Sequence, residues 1–565
     1  MVASPGDGQP GLPNPGEDEE MGKHRKSKDR AVRKAIKRAN KLPKIILKIG
    51  ELPDGVDRAE AALLPRCEKL QLFQRAGDLV RLISLPERVT DGLLSRPKGS
   101  VQLELLGKMS LTEIFNRIAR WRRQNSNGNI IRVDCPPKIA AFYISRVGFW
   151  RVPALSGIIS APLLRRDGSV LENPGYDSAT GLYLVSDRDS AKIPQRPTQA
   201  DARAALKKLL TPFAEFPFVT AHHQAVHVAC ILTAIQRPLL GACPIFAYTA
   251  PAQRSGKSLL AESIAIIATG KPAPATAISG DREETRKMIT SALREGHTII
   301  NLDNVEHPLA SSDLAKAITQ PEYQDRALGS NRMLRLPTNV LWTATGNNLS
   351  FRGDLSSRAL LCRIDAKVES PESRTFHIPH LRRYLEQHRE ELIVAALTIL
   401  RAYHLAGCPQ QLVKPWGGFE DWSLSIRESL VWLGMADPCE TRSTVIADDP
   451  EREETLTALR ALREKFGKNV FTTKGIMRRL KSSKLLRTAM EAMALGRNRE
   501  IDPRSVGWWL RKNHDRIVGG LRLEAVGKAS GSARWKIVKV GSGHEGQEGH
   551  PPARKSMRFP RLRNS

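Results

Sequence analysis

The stretch that most constrains this chain is residues 246–258, FAYTAPAQRSGKS. A short apolar run over 245–248 turns through Thr249, Ala250 and Pro251 into a polar loop ending on Gly256, Lys257 and Ser258. Residues 259–267, LLAESIAII, then read as a helix. A strand, a tight loop and a helix opening on Gly-Lys-Ser is the context in which a phosphate-binding loop works. Backbone N–H groups at such a helix start point at an anion, and the helix dipole favours negative charge there. On this pattern Pro251, Ala252, Gln253, Arg254, Ser255 and Gly256 wrap the phosphates of ATP. Lys257 reaches the β- and γ-phosphates, and the Ser258 hydroxyl ligates Mg²⁺. The pattern has a glycine where Pro251 stands, so its second half alone is intact. A Gly-Lys-Ser/Thr tripeptide arises by chance roughly 0.3 times in a chain of this length, so its downstream partners must decide.

Those partners are two apolar strands with polar ends. Residues 298–303, TIINLD, end on Asp303, where a Walker B carboxylate holds Mg²⁺ across from Ser258. Asn304 stands where many ATPases carry a glutamate that activates water. An amide orients water but takes no proton, and Glu306 is the nearest carboxylate that does. Residues 340–348, VLWTATGNN, form a second strand whose Asn347 can position the lytic water or sense the γ-phosphate. The 46 positions from Lys257 to Asp303, and the 44 from Asp303 to Asn347, each suffice for a helical crossover between neighbouring parallel strands. Arg352, Arg358 and Arg363 follow, and an arginine there can reach a neighbouring subunit's nucleotide. Arg358 is the first choice for that role and Arg363 the second.

These motifs together resemble the superfamily 3 helicase core, and more closely the AAA+-like ATPase module of phage, plasmid and integrated-element primase-helicases. The similarity runs over residues 212–366, and the segment Gly175, Tyr176, Asp177 to Tyr183 is similar to them as well. No paired carboxylates of a primase metal site accompany it. The resemblance implies an α/β, P-loop (AAA+/RecA-like) ATPase core working as a homo-hexamer on single-stranded or forked DNA, with a possible separate primase. It also implies a basic hairpin between Walker B and the sensor strand, with Arg332 and Arg335 gripping one strand in the ring pore.

Charge supports a polyanionic partner: Lys+Arg 88 against Asp+Glu 59 leaves +29 over 565 residues. No apolar run is long enough for a membrane span and no signal peptide is visible, which predicts a cytoplasmic protein without membrane contact. The seven cysteines are scattered and never spaced C-x-x-C, arguing against a zinc site or a disulfide framework. His223 and His227 have metal spacing on one helix face, but no acidic ligand accompanies them, so a structural role is expected.

Along the chain, residues 1–50 read as a disordered arm, first acidic and then basic, whose cations suit phosphate contact. Residues 51–193 read as an α+β accessory domain, with a helix over 112–123 that aligns Ile114, Ile118 and Trp121 on one face. In it, Asp167-Gly168 marks a hairpin turn. The core occupies 200–370, a helical lid 371–447, and an acidic linker 448–454. Residues 455–540 read as a winged helix, three helices followed by a hairpin, like the C-terminal domain of the same primase-helicases. Asp502 and Pro503 open its recognition helix. Arg504, Arg511 and Lys512 on that helix, with Lys528 and Arg534 in the wing, are the candidate phosphate contacts. Trp508 and Trp509 are expected in the core, or one in and one out. Residues 541–565 read as a disordered basic tail.

Overall fold

Six consecutive residues, Ile245–Ala250 (β4 below), are buried without alternation, the pattern of a parallel strand covered on both faces. The computed structural model describes residues 42–540 apart from 86–87, 91–92, 97–99, 126, 187–191, 327–332, 495–499 and 530. The expected arm up to residue 41, the tail 541–565 and Arg332 therefore lie outside the described residues. The chain divides into two compact units. The first comprises 1–306, 311–349 and 360–440; the second comprises 307–310, 350–359 and 441–565.

The first unit begins with β1, Lys44–Leu47, a strand inside the stretch expected to be an arm. Helix α1, Lys108–Ile118, buries Ile114, Phe115 and Ile118. It stops there because Ala119 is extended, and Arg120–Gln124 forms strand β2. The expected helix over 112–123 is thus shorter and shifted. Trp121 still enters the core, but from a strand that pairs in parallel with β1 and antiparallel with β3, Ile130–Arg132. Its indole N–H donates to the Phe115 carbonyl at 2.9 Å. A strand partner overrides a helical period when both bury the same side chains.

Tyr176 and Tyr183, in the segment similar to primase-helicases, face each other across a strand pair and pack on Phe73 with centroids 5.0 and 6.0 Å away. Asp167-Gly168 does turn a short hairpin, Leu163–Leu164 against Val170–Leu171, with Gly168 at φ +81°. This N-terminal region is pinned to the rest of the unit by Arg75. Its guanidinium donates to the Leu293 and Arg294 carbonyls at 3.2 and 3.1 Å, at the carboxyl end of the helix Arg282–Glu295. A cation there also meets the negative end of the helix dipole.

The core of the unit is a five-stranded sheet built from β4 (Ile245–Ala250), β5 (Ala275–Thr276), β6 (Ile299–Leu302), β9 (Leu341–Asn347) and β10 (Ala359–Arg363), in the order β5-β6-β9-β4-β10. Helices α2 (Lys257–Thr269) and α3 (Arg282–Glu295) lie in the crossovers. The pairs β5/β6, β6/β9 and β9/β4 are parallel. β4 and β6, expected as neighbours, are separated by β9; the third strand inserts between them. Antiparallel strands β7 (Glu322–Arg326) and β8 (Met333–Pro337) form the hairpin expected before β9. Helix α4 (Arg389–Leu405) follows the sheet.

In the second unit, α5 (Pro450–Phe466) occupies the stretch expected to begin as an acidic linker. Those acids start the helix instead. Asp449 caps it by accepting from the Glu451 N–H, Pro450 fits the first turn, and Glu451 and Glu453 favour the positive helix end. Helix α6 (Pro503–Asn513) is capped by Asp502, which accepts from the Arg504 and Ser505 N–H groups. Strands β11 (Leu521–Ala529) and β12 (Ser532–Lys539) pair antiparallel and close a four-stranded sheet. Trp509 is 2% exposed in this core, whereas Trp508 is 59% exposed.

Candidate nucleotide site

β4 delivers the chain to the carboxyl edge of the sheet, and the loop 251–256 carries it into α2. Arg254 at φ +53° and Gly256 at φ +93° bend the loop back over the helix start. Gly256 is required twice over: a Cβ there would also stand 3.0 Å from the Phe216 ring. Lys257 is 9% exposed, and burial lowers its pKa while the Asp303 carboxylate opposes that shift.

Asp303 stands just past β6, and the neighbouring β9 shapes its surroundings. The Thr345 hydroxyl donates to Asp303 Oδ1, and the Asn304 N–H donates to Thr345 Oγ1 at 3.2 Å. The Ser258 hydroxyl lies 3.5 Å from the same Oδ1. Ser258 and Asp303, 45 residues apart in sequence, are therefore brought together, with Lys257 within electrostatic reach. Gly346 is obligatory for this packing, because a Cβ on it would meet the Val305 carbonyl at 2.5 Å.

Asn347 ends β9 in register with Ala250, the last residue of β4. Its Oδ1 is buried without a hydrogen-bond partner, and so is Ser255 Oγ in the loop. Buried polar atoms are nearly always paired, so two orphans at one sheet edge mark a place where a polar ligand is expected. Asn304 adopts a left-handed backbone, φ +51°, which asparagine tolerates better than glutamate. Its side-chain amide donates to Glu306 Oε1 at 3.1 Å.

Sequence reasoning missed one wall of this site. A cavity of about 390 Å³ lies between Pro251, Ala252 and Ser255 on one side and residues 365–371 on the other. In that second wall Lys367, at φ +53°, donates its N–H to Asp365 Oδ1 at 2.9 Å. Arg254 approaches Glu372 at 3.8 Å. No sequence motif marks this segment; its position directly after β10 is the one available signal.

The loop and helix start offer an anion its N–H groups, Lys257 offers a cation, and Ser258 with Asp303 offers two hard oxygens to a divalent ion. The donor set fits a magnesium–triphosphate.

Other expected site residues fall elsewhere. On the β7/β8 hairpin Arg335 is exposed opposite Gln324. Arg358 belongs to the segment grouped with the second unit, with Asp354 3.7 Å away. Arg352, in the same segment, forms a two-pronged pair with Glu454 at 3.2 and 2.8 Å. Arg363 lies on β10 beside His223. In the second unit Arg504, Arg511 and Lys528 are exposed and Arg534 is half-buried. Lys512 is tied to Glu451 at 2.8 Å and lies 5.6 Å from the centre of the Trp508 ring.

His223 and His227 make local contacts rather than a metal site. His223 Nδ1 lies 3.1 Å from Thr220 Oγ1, and His227 Nδ1 lies 3.2 Å from the Tyr248 hydroxyl on β4. Among the described residues no group of three or more His, Cys, Asp or Glu is arranged to hold a metal, and no helix is long and apolar enough to cross a membrane. All seven cysteines are free thiols.

No family model matches the chain, and no curated protein matches it. Among solved structures it is similar to the apo A form of the NrS-1 C-terminal region, residues 305–718. There the identity is 11% and the TM-score 0.33, over 77% of this chain and 92% of that one. It is also similar to JCV helicase, at 13% identity and a TM-score of 0.18, over 45% of this chain and 73% of that one. Scores this low carry no weight for the site.

Proposed function

We propose that this chain is an ATP-driven motor on DNA, a helicase, translocase or loader serving the replication of a mobile genetic element. The observation that carries the reading is Ser258 and Asp303 meeting at 3.5 Å beside Lys257, one strand from the orphaned Asn347 oxygen. ATP lies along residues 251–258, and Lys257 neutralises its β- and γ-phosphates. Ser258 and Asp303 hold Mg²⁺, which supplies further neutralisation of phosphate charge. The cavity beside residues 365–371 takes the nucleoside. Asn347 orients the attacking water, and Glu306, linked to the Asn304 amide, is the carboxylate at hand to take its proton.

In this reading the chain works as a homo-hexamer. Arg358 completes a neighbouring subunit's site, and Arg332 with Arg335 grips one DNA strand. The 455–540 region acts as a winged helix in which Arg504, Arg511, Lys512, Lys528 and Arg534 contact phosphates. A cytoplasmic setting and a separate primase complete the picture.

A second reading, an ATP-switched DNA-binding regulator or origin-binding protein with little turnover, draws on Pro251 and on the Asn304 amide held by Glu306. ATPase rates with and without single-stranded DNA, on the wild type and Lys257→Ala, separate the readings. The motor requires DNA-stimulated turnover that Lys257→Ala loses, together with displacement of a strand from a forked duplex. Nucleotide binding without stimulated turnover selects the switch. Equal rates in the two proteins overturn the site.

A further inference from the structure

The small sheet β1-β2-β3 has two unlike faces. Register partners on adjacent strands share a face, and here they are Lys44 with Arg120, Ile46 with Arg122, and Arg122 with Arg132. The opposite face holds Ile45 and Trp121, each 2% exposed, which enter the N-terminal core. The outward face therefore gathers Lys44, Arg120, Arg122 and Arg132, with Ile46, Gln124 and Ile130 around them. Lys44 and Arg132 are exposed, and Arg120 and Arg122 are half-buried. Arg58, from the helix Leu52–Leu63, adds a guanidinium at the outer edge, donating to the Ile46 carbonyl at 3.1 Å.

This arrangement works against the fold that carries it. Arg122 stands directly across from Arg132, at a cross-strand separation of about 5 Å where like charges repel. Among the described residues no carboxylate pairs with Lys44, Arg122 or Arg132. Along β2, Arg120 and Arg122 are roughly 7 Å apart, so the patch spans two dimensions. A polyanion laid across the face would remove the repulsion and release its own counterions. The chain enters β1 from residues 23–41, a stretch dense in Lys and Arg.

We propose that the outward face of β1-β2-β3 is a nucleic-acid contact surface that binds the phosphate backbone. Among the described residues no aromatic side chain lies on this face, so it offers no ring for base stacking, and its row of cations suits the phosphate backbone. The surface acts without nucleotide, and none of its residues belongs to the proposed nucleotide site.

The test is a fluorescence-anisotropy titration of the full chain, without nucleotide, over a salt series. The probes are an oligo-dT strand, a mixed-sequence duplex, and vesicles of phosphatidylserine with phosphatidylcholine. For Arg122→Gln/Arg132→Gln, losing two phosphate contacts makes the plot of log affinity against log salt shallower. The change expected is about 1.4 on the single strand or about 1.8 on the duplex. The probe that shows its full shift identifies the preferred form. Arg122→Lys/Arg132→Lys keeps the wild-type slope. The melting temperature of the glutamine variant equals or exceeds the wild type's, because a repulsive pair is gone. Should that variant fail to fold, Lys44→Gln/Arg132→Gln, both at exposed positions, makes the same measurement. Unchanged affinity and slope on both nucleic acids overturns the proposal, as does a loss confined to the vesicles.

Discussion

The candidate nucleotide edge of the first unit and the charged surface of the second use polar residues in opposite ways. At the sheet edge Asn347 Oδ1 and Ser255 Oγ are buried without partners, and burial depresses the Lys257 pKa. In the second unit several cations are paired: Arg352 with Glu454, Lys512 with Glu451, and both Arg522 and Lys536 with Glu524. Unsatisfied polar groups lower stability and persist where a ligand completes them. Compensated charges on a surface contribute little to stability and hold shape. Substitutions at the sheet edge should therefore cost function and spare the fold, while breaking one of the surface ion pairs of the second unit should cost its stability little.

Lys257→Ala tests this contrast with the largest expected effect. ATP turnover falls by about 10² or more, the scale of removing one preorganised charge from a reaction site. The unliganded melting temperature stays level or rises, since a buried ammonium has gone. The upward shift given by saturating ATP, worth about 2.7 kcal/mol at a hundredfold excess over Kd, disappears. A variant that unfolds, or that keeps the ATP shift, erases the contrast.

Acid separates the units next. Burial holds His223 at about 4, with Arg363 and His222 adding to the depression, and holds His227 at about 3. Both folded values lie below the unfolded value near 6.5, so the unfolded chain takes up protons first as the pH falls. Their stabilising contribution is complete above about pH 6.5 and is lost between there and about pH 3. The first unit should lose on the order of a few kcal/mol across that window. His227→Phe should flatten the dependence, as read from urea midpoints at about pH 7 and about pH 5.

What the sequence made legible follows from how local each signal is. The loop 251–258 and the acid and amide ends of two apolar strands are written in contiguous residues, and the elements appear where the pattern puts them. Strand order is not written there: β9 enters between β4 and β6 because of packing over the whole sheet. Trp121 showed a helical period but sits on β2, since pairing with β1 depends on residues more than seventy positions away. The acids at 449–453 resembled a linker because a helix start and a solvated charge run have the same composition. The Thr345 hydroxyl, and the wall at 365–371, carry no motif at all.

Thr345 supplies the third comparison. Its hydroxyl links Asp303 Oδ1 to the Asn304 N–H, and Thr345→Val keeps the shape while removing both bonds. Leaving the Asn304 N–H unmet costs about 1–3 kcal/mol. A shift of 1.4 kcal/mol at Asp303 corresponds to a roughly tenfold rise in the Mg²⁺ concentration for half-maximal turnover. Thr345→Ser should restore it. Equal Mg²⁺ dependence in all three proteins would make Thr345 a packing residue only.

The smallest effect should distinguish two neighbours on α6. Arg511 is exposed, whereas Lys512 is tied to Glu451 at 2.8 Å, so the two differ in how much free positive charge they present. A cation already neutralised by a carboxylate releases few counterions when it meets a phosphate, and it must give up its partner to do so. Breaking an exposed pair of this kind costs about 0–1 kcal/mol, enough to cancel much of a single phosphate contact. Arg511→Gln should therefore lower the salt slope for DNA by about 0.7 on a single strand or about 0.9 on a duplex. Lys512→Gln should lower it by clearly less. Glu451→Gln, which frees the Lys512 ammonium, should raise the slope instead. If Lys512→Gln matches Arg511→Gln, the pair opens on binding, and Lys512 contacts phosphate as fully as Arg511 does.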